Sequence, residues 1–162
     1  GGGFTWYEFD AAGTPDPVMF RNSYDSLVQF LQDAVSGYPV DPQQLYLFGF
    51  SMGTVMSHAI ALSRPGLVRG VVANSGYVPE KTFLSFRWDA LASLDVLITH
   101  GTMDPVLPVG MGRRARELYG ASAARLEYRE YPMGHQISEE SLRDVTVWLT
   151  RSLDTPFTPG HG

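Results

Sequence analysis

The chain has 162 residues, 12 Lys+Arg against 17 Asp+Glu, and a formal net charge of −5. At 44% apolar and 12% aromatic it carries enough hydrophobic material for one globular core and too much for disorder. A single lysine, Lys81, leaves no basic patch for nucleic acid, the absence of cysteine excludes a disulfide framework, a Cys-rich zinc site and a Cys nucleophile, and no apolar run approaches the ~18 residues of a membrane helix.

Residues 1–15 open on Gly1-Gly2-Gly3 and pass into FTWYEFD, an extended aromatic segment. No signal-peptide pattern precedes it, and the expected location is cytoplasmic. Phe20, Tyr24, Leu27, Leu31 and Val35 then recur at helical spacing, which predicts an amphipathic helix over 16–36. Asp16 suits its N-cap and Pro17 its first position, while Gly37 and Pro39 stop it. QLYLFGF (44–50) is a nearly continuous apolar run and reads as a strand buried on both faces, as in parallel sheets. A helix follows over 52–63, with Gly53 and Ala59 allowing close packing. VRGVVAN (68–74) is a second strand, 76–93 an irregular link, DVLIT (95–99) a third strand, 108–119 a helix and 125–131 a fourth strand. The last helix spans 138–152, with Ser138 as N-cap, Glu139 and Glu140 at its positive end, and Leu142, Val145, Leu149 and Leu153 directed inward. The expected layout is an aromatic N-terminal segment (1–15), a core (16–153) and a mobile tail (154–162).

Strands alternating with helices over short links indicate an α/β fold with a parallel sheet, whose sites form beyond the carboxyl ends of strands. Three chemically distinctive residues fall there. The first strand runs through Gly49-Phe50-Ser51-Met52-Gly53 straight into a helix, a G-x-S-x-G turn in the context that presents a serine hydroxyl above the sheet. Gly49 and Gly53 are expected to remove side chains that would collide with strand and helix. The helix dipole favours negative charge at Ser51, and the Met52 N–H is placed to meet a substrate oxyanion. The plainer reading of Ser51 is a helix N-cap. Asp104 follows the third strand in THGTMDPVLP and His135 follows the fourth in YPMGH. Asp104 alone reads equally as a turn residue before Pro105. Asp95 sits at the wrong sheet edge, and His100 is the one rival base. The order Ser51, Asp104, His135, each after its own strand, is that of a nucleophile, an orienting carboxylate and a general base. The His and acidic residues lack metal-ligand spacing, and no cofactor is expected.

GFSMG, SGYVP, HGTMDPVLPV and YPMGHQI together resemble the carboxylesterase/phospholipase family of α/β-hydrolases, which includes the acyl-protein thioesterases, and the likeness runs over nearly the whole chain. The resemblance implies an α/β-hydrolase-type parallel sheet with flanking helices, hydrolysis of short-chain acyl esters through an acyl-enzyme without cofactor, and Ser51, Asp104 and His135 as the triad. It places Trp6 and Tyr7 near the pocket and the Ser75-Gly76-Tyr77 segment at the acyl site. Phe83, Leu84 and Trp88 line that site or belong to the core.

The family pattern begins with further strands and a His-Gly-rich loop that supplies a second oxyanion N–H, and nothing in this sequence resembles that loop. The sheet therefore reads as shortened on its N-terminal side, from a fragment or from a short form that completes its site differently. Without upstream strands, 44–50 becomes a sheet edge that invites pairing. Its expected cover is residues 3–9 folded back as a strand, a second copy in a homodimer, or another partner. The leading expectation is a serine carboxylesterase acting on small esters. The alternatives are a catalytically weak hydrolase-like binding module, or a thioesterase or lysophospholipase using the same triad.

Overall fold

A computed structural model describes residues 4–9 and 14–155. It contains α1 (Pro17–Gly37), β1 (Tyr46–Phe50), α2 (Met52–Ser63), β2 (Gly70–Asn74), β3 (Asp95–Gly101), α3 (Val109–Gly120), β4 (Arg125–Tyr131) and α4 (Glu139–Asp154), with single 3₁₀ turns at Pro42–Gln44 and Trp88–Ala90. The four strands form one parallel sheet in the order β1-β2-β3-β4. Phe50, Asn74, Thr99 and Arg129 lie in one register row, so the residues following each strand share one rim. The tail read as mobile lies, from residue 156 onward, outside the described residues.

Alternation along the strands divides the core into two layers. Val71, Ala73, Val96 and Ile98 face α2 and α3, and α1 packs on α2 through Phe20, Tyr24, Val28 and Leu31. Val72 and Leu97 face Val145 and Trp148 of α4. The caps follow the sequence signals. Asp16 accepts hydrogen bonds from the Val18 and Met19 amides at 3.1 and 2.8 Å, and Ser138 and Ser141 form a reciprocal capping box at the start of α4.

The open side of the sheet departs from the sequence reading. β1 is an edge strand with Phe48 51% and Phe50 36% exposed, rather than a strand buried on both faces. The described residues 4–9 do not pair with it, since their one bridge joins Phe9 to Pro15. The inward face of α4 is also rotated from expectation. Ser141, Val145, Trp148 and Ser152 are buried, Leu149 is half-buried, and Leu142 and Leu153 are 50% and 47% exposed. Among the described residues, no strand lies beyond β1 to cover that flank of the helix.

Candidate active site

Ser51 follows β1 and caps α2 with φ 54° and ψ −118°, a left-handed conformation that a residue with a Cβ adopts only when its surroundings enforce it. The turn is tight because α2 lies on Gly49, where a Cβ would sit 2.6 Å from the Thr54 backbone. Gly53 plays no comparable part, because a Cβ there would meet open space, contrary to the sequence expectation. The Met52 amide is the first of α2 and so has no acceptor within its own helix.

Asp104 is buried in the turn after β3. Its Oδ1 accepts the Val106 and Leu107 amides, both at 2.8 Å. Oδ2 accepts from His135 Nδ1 at 2.8 Å, and His135 Nε2 lies 3.0 Å from Ser51 Oγ. Burial pushes the Asp104 pKa up, but the His135 hydrogen bond and the two amides outweigh it and hold the carboxyl below its ordinary value. An ionised Asp104 can only accept, so the His135 proton resides on Nδ1 and the Nε2 lone pair accepts from the Ser51 hydroxyl. The loops that carry Asp104 and His135 are laced together. Met103 N–H donates to Met133 O at 3.1 Å, and a Cβ on Gly101 would strike that same carbonyl.

The rival base is sequestered. His100 is fully buried and its Nε2 donates to Leu107 O at 2.8 Å, so it braces the turn whose amides hold Asp104. Asp95 lies at the opposite end of the sheet, paired with Arg69 and Arg125. One neighbour of the site was missed by the sequence reading. The Phe50 ring packs on the His135 imidazole with centroids 4.8 Å apart, and its position as an exposed aromatic inside the G-x-S-x-G turn is the only hint.

The six apolar candidates are dispersed. Trp6 is 43% exposed and borders a hollow of about 170 Å³ with Leu27, Leu47, Phe48, Gly53 and Met56. Tyr7 is buried against Phe9 and Phe20. Its phenol lies beside Tyr77, and burial, then that proximity, raises its pKa. Phe83 rests edge-on against Phe20 and Tyr24 under the Arg21 guanidinium. Leu84 packs on the core, and Trp88 stacks edge-on against Phe86 and Tyr119. Among the described residues, no ring contact or hydrogen bond of these six reaches Ser51, Asp104 or His135.

Known proteins share this arrangement of elements. Acyl-protein thioesterase 1 of Saccharomyces cerevisiae is 27% identical over 144 residues, covering 86% of this chain and 63% of the relative. A probable carboxylesterase, SOBER1-like, of Arabidopsis thaliana is 28% identical over 159 residues, covering 93% of this chain and 60% of the relative. The chain thus spans rather less than two thirds of the length of these relatives. The crystal structure of the Bacillus cereus carboxylesterase superposes with a TM-score of 0.79 at 19% identity, over 90% of this chain and 68% of that one, and shares the α/β-hydrolase fold. The Phospholipase/Carboxylesterase family pattern matches residues 2–153, nearly the whole chain, and the chain belongs to that family.

Proposed function

We propose that the chain is a serine carboxylic-ester hydrolase that cleaves short-chain acyl esters through an acyl-enzyme on Ser51. The observation that carries this reading is the continuous relay from Ser51 Oγ through His135 to Asp104, with links of 3.0 and 2.8 Å. In the first step Ser51 Oγ attacks the ester carbonyl while its proton passes to His135 Nε2. Asp104 stabilises the resulting imidazolium through Nδ1–H. The carbonyl oxygen becomes an oxyanion and is met by the Met52 N–H at the positive end of α2. His135 then protonates the leaving alkoxide. A water, deprotonated by the same imidazole, releases the acid and restores Ser51.

A short acyl chain fits the space available. The hollow beside Trp6 includes Gly53, two residues from the nucleophile, and at about 170 Å³ falls below the ~300 Å³ at which drug-sized ligand pockets begin. Trp6 therefore has the strongest claim of the six apolar residues to touch substrate. Relatives named acyl-protein thioesterase favour a second reading, the same chemistry on a thioester. The test is hydrolysis of p-nitrophenyl acetate and butyrate beside matched thioesters. Ser51→Ala is expected to lower kcat by about 10⁴-fold or more, and unchanged turnover in that variant overturns the proposal.

The same reading includes self-association along β1. The strand YLFGF carries no charge and no proline to block its free edge. Antiparallel pairing about Phe48 would set Phe48 against its copy and Tyr46 against Phe50, aromatic cross-strand pairs that stabilise a sheet.

A further inference from the structure

Beneath the Ser51 turn lies a buried polar cluster that the relay does not use. Asn74, the last residue of β2, is fully inaccessible, as is Thr99 of β3, and Thr54 of α2 is 1% exposed. Polar groups in such a place are retained only where each finds a partner. Beyond its sheet pairing, Asn74 makes four hydrogen bonds to three other elements. Its Nδ2 donates to Gly49 O at 2.9 Å, and its Oδ1 accepts from Thr99 Oγ1 at 2.6 Å. Its backbone carbonyl accepts the Ser51 N–H at 3.0 Å and the Thr54 hydroxyl at 2.7 Å.

We propose that Asn74 is a positioning residue for the nucleophile, with Thr99 holding its amide oxygen in place. The cluster grips the turn on both sides of Ser51: at Gly49 two residues before it, at its own N–H, and at Thr54 three residues after it. Ser51 holds φ 54°, which relaxes unless the flanking backbone is fixed. The side chain of Asn74 fixes one flank and its carbonyl the other. An amide can turn its oxygen or its nitrogen toward Gly49 O, and only the nitrogen can donate there. Gly49 O, which can only accept, thereby sets the orientation, and the Thr99 hydroxyl donates to the Oδ1 left on the other side and holds it there. Thr99 also lies five residues before Asp104 on the same strand and loop, so the cluster ties the nucleophile's turn to the element that carries the orienting carboxylate.

This inference rests on the hydrolase reading for its kinetic arm and not for its structural one. The experiment compares wild type with Asn74→Leu/Thr99→Val, which removes both polar partners together and leaves no unpaired group between them. Backbone amide exchange is followed at residues 51, 54 and 55, and kcat and KM on p-nitrophenyl acetate are measured in parallel. The double variant is expected to unfold at a denaturant concentration near wild type. Its three amides should exchange at least about tenfold faster, and its kcat should fall by about 10–100-fold with KM within about threefold, as for a small misplacement of a reacting group. Thr99→Ser, which keeps the hydroxyl, is expected to match wild type, and Thr99→Val alone to fall between. Wild-type exchange at the three amides in the folded double variant overturns the proposal, as does faster exchange with unchanged kcat. Should the double variant not fold, Thr99→Val decides: wild-type kcat and exchange there overturn the proposal. Should wild type itself show no Ser51-dependent turnover, the hydrolase reading falls and the exchange data alone decide the clamp.

Discussion

The convergence of Asp104, His135 and Ser51 was legible because each carries distinctive chemistry and each follows a strand that ends on the same rim. Asp104 also satisfies the plainer reading, since its Oδ1 does the work of a turn residue toward Val106 and Leu107 while Oδ2 faces His135. Asp104→Asn keeps much of this shape but can donate toward Nδ1, which favours the wrong imidazole tautomer. A loss of about 10⁴-fold in kcat is expected, measured on p-nitrophenyl acetate. Phe50 and the Asn74–Thr99 pair were not legible, because their roles depend on side-chain contacts between different strands. His58 is a further case. It is buried in α2 with Nδ1 2.9 Å from the Tyr119 hydroxyl, and burial pushes its pKa down to about 3. The unfolded chain binds this proton near pH 6.5 and the folded chain does not. Stability is therefore full above about pH 6.5 and falls as pH drops toward 3. Urea midpoints between pH 7.5 and 5 should decline for wild type and flatten in His58→Leu/Tyr119→Phe, and equal slopes in both contradict the account.

The helices and strands were legible from periodicity and caps, and their outward faces less so. Leu142, Val145, Leu149 and Leu153 form one apolar stripe in the sequence, yet only Val145 is fully buried. A stripe records which face a helix hides and not which strands are present beneath it. The same holds for β1, whose apolar run suits an interior strand while its place in the sheet is at the edge. Cap chemistry is more local and transfers directly. Ser138 accepts the Ser141 amide at 3.1 Å and Ser141 Oγ accepts the Ser138 amide at 2.9 Å. Ser138→Ala should cost about 1 kcal/mol in urea unfolding, with the proposed esterase activity retained at saturating substrate because His135 lies outside the helix.

At the scale of the whole molecule, the two outer strands of the described sheet, β1 and β4, differ in what covers them. β4 is covered on both faces by salt-bridged side chains: Glu130 to Arg113 of α3, and Glu127 to Arg151 of α4. β1 presents Phe48 and Phe50 to solvent instead. Pairing of two copies through β1 predicts a dimer by light scattering at micromolar concentration. Phe48→Lys places like charges opposite each other and should return a monomer. A wild-type chain that stays monomeric contradicts that part of the account. The relay itself is tested most directly by a fluorophosphonate probe and intact-protein mass. The expected result is one adduct per chain, mapped to Ser51, formed at least about a hundredfold more slowly in His135→Ala; no adduct, an adduct elsewhere, or equal labelling in that variant contradicts the proposed chemistry.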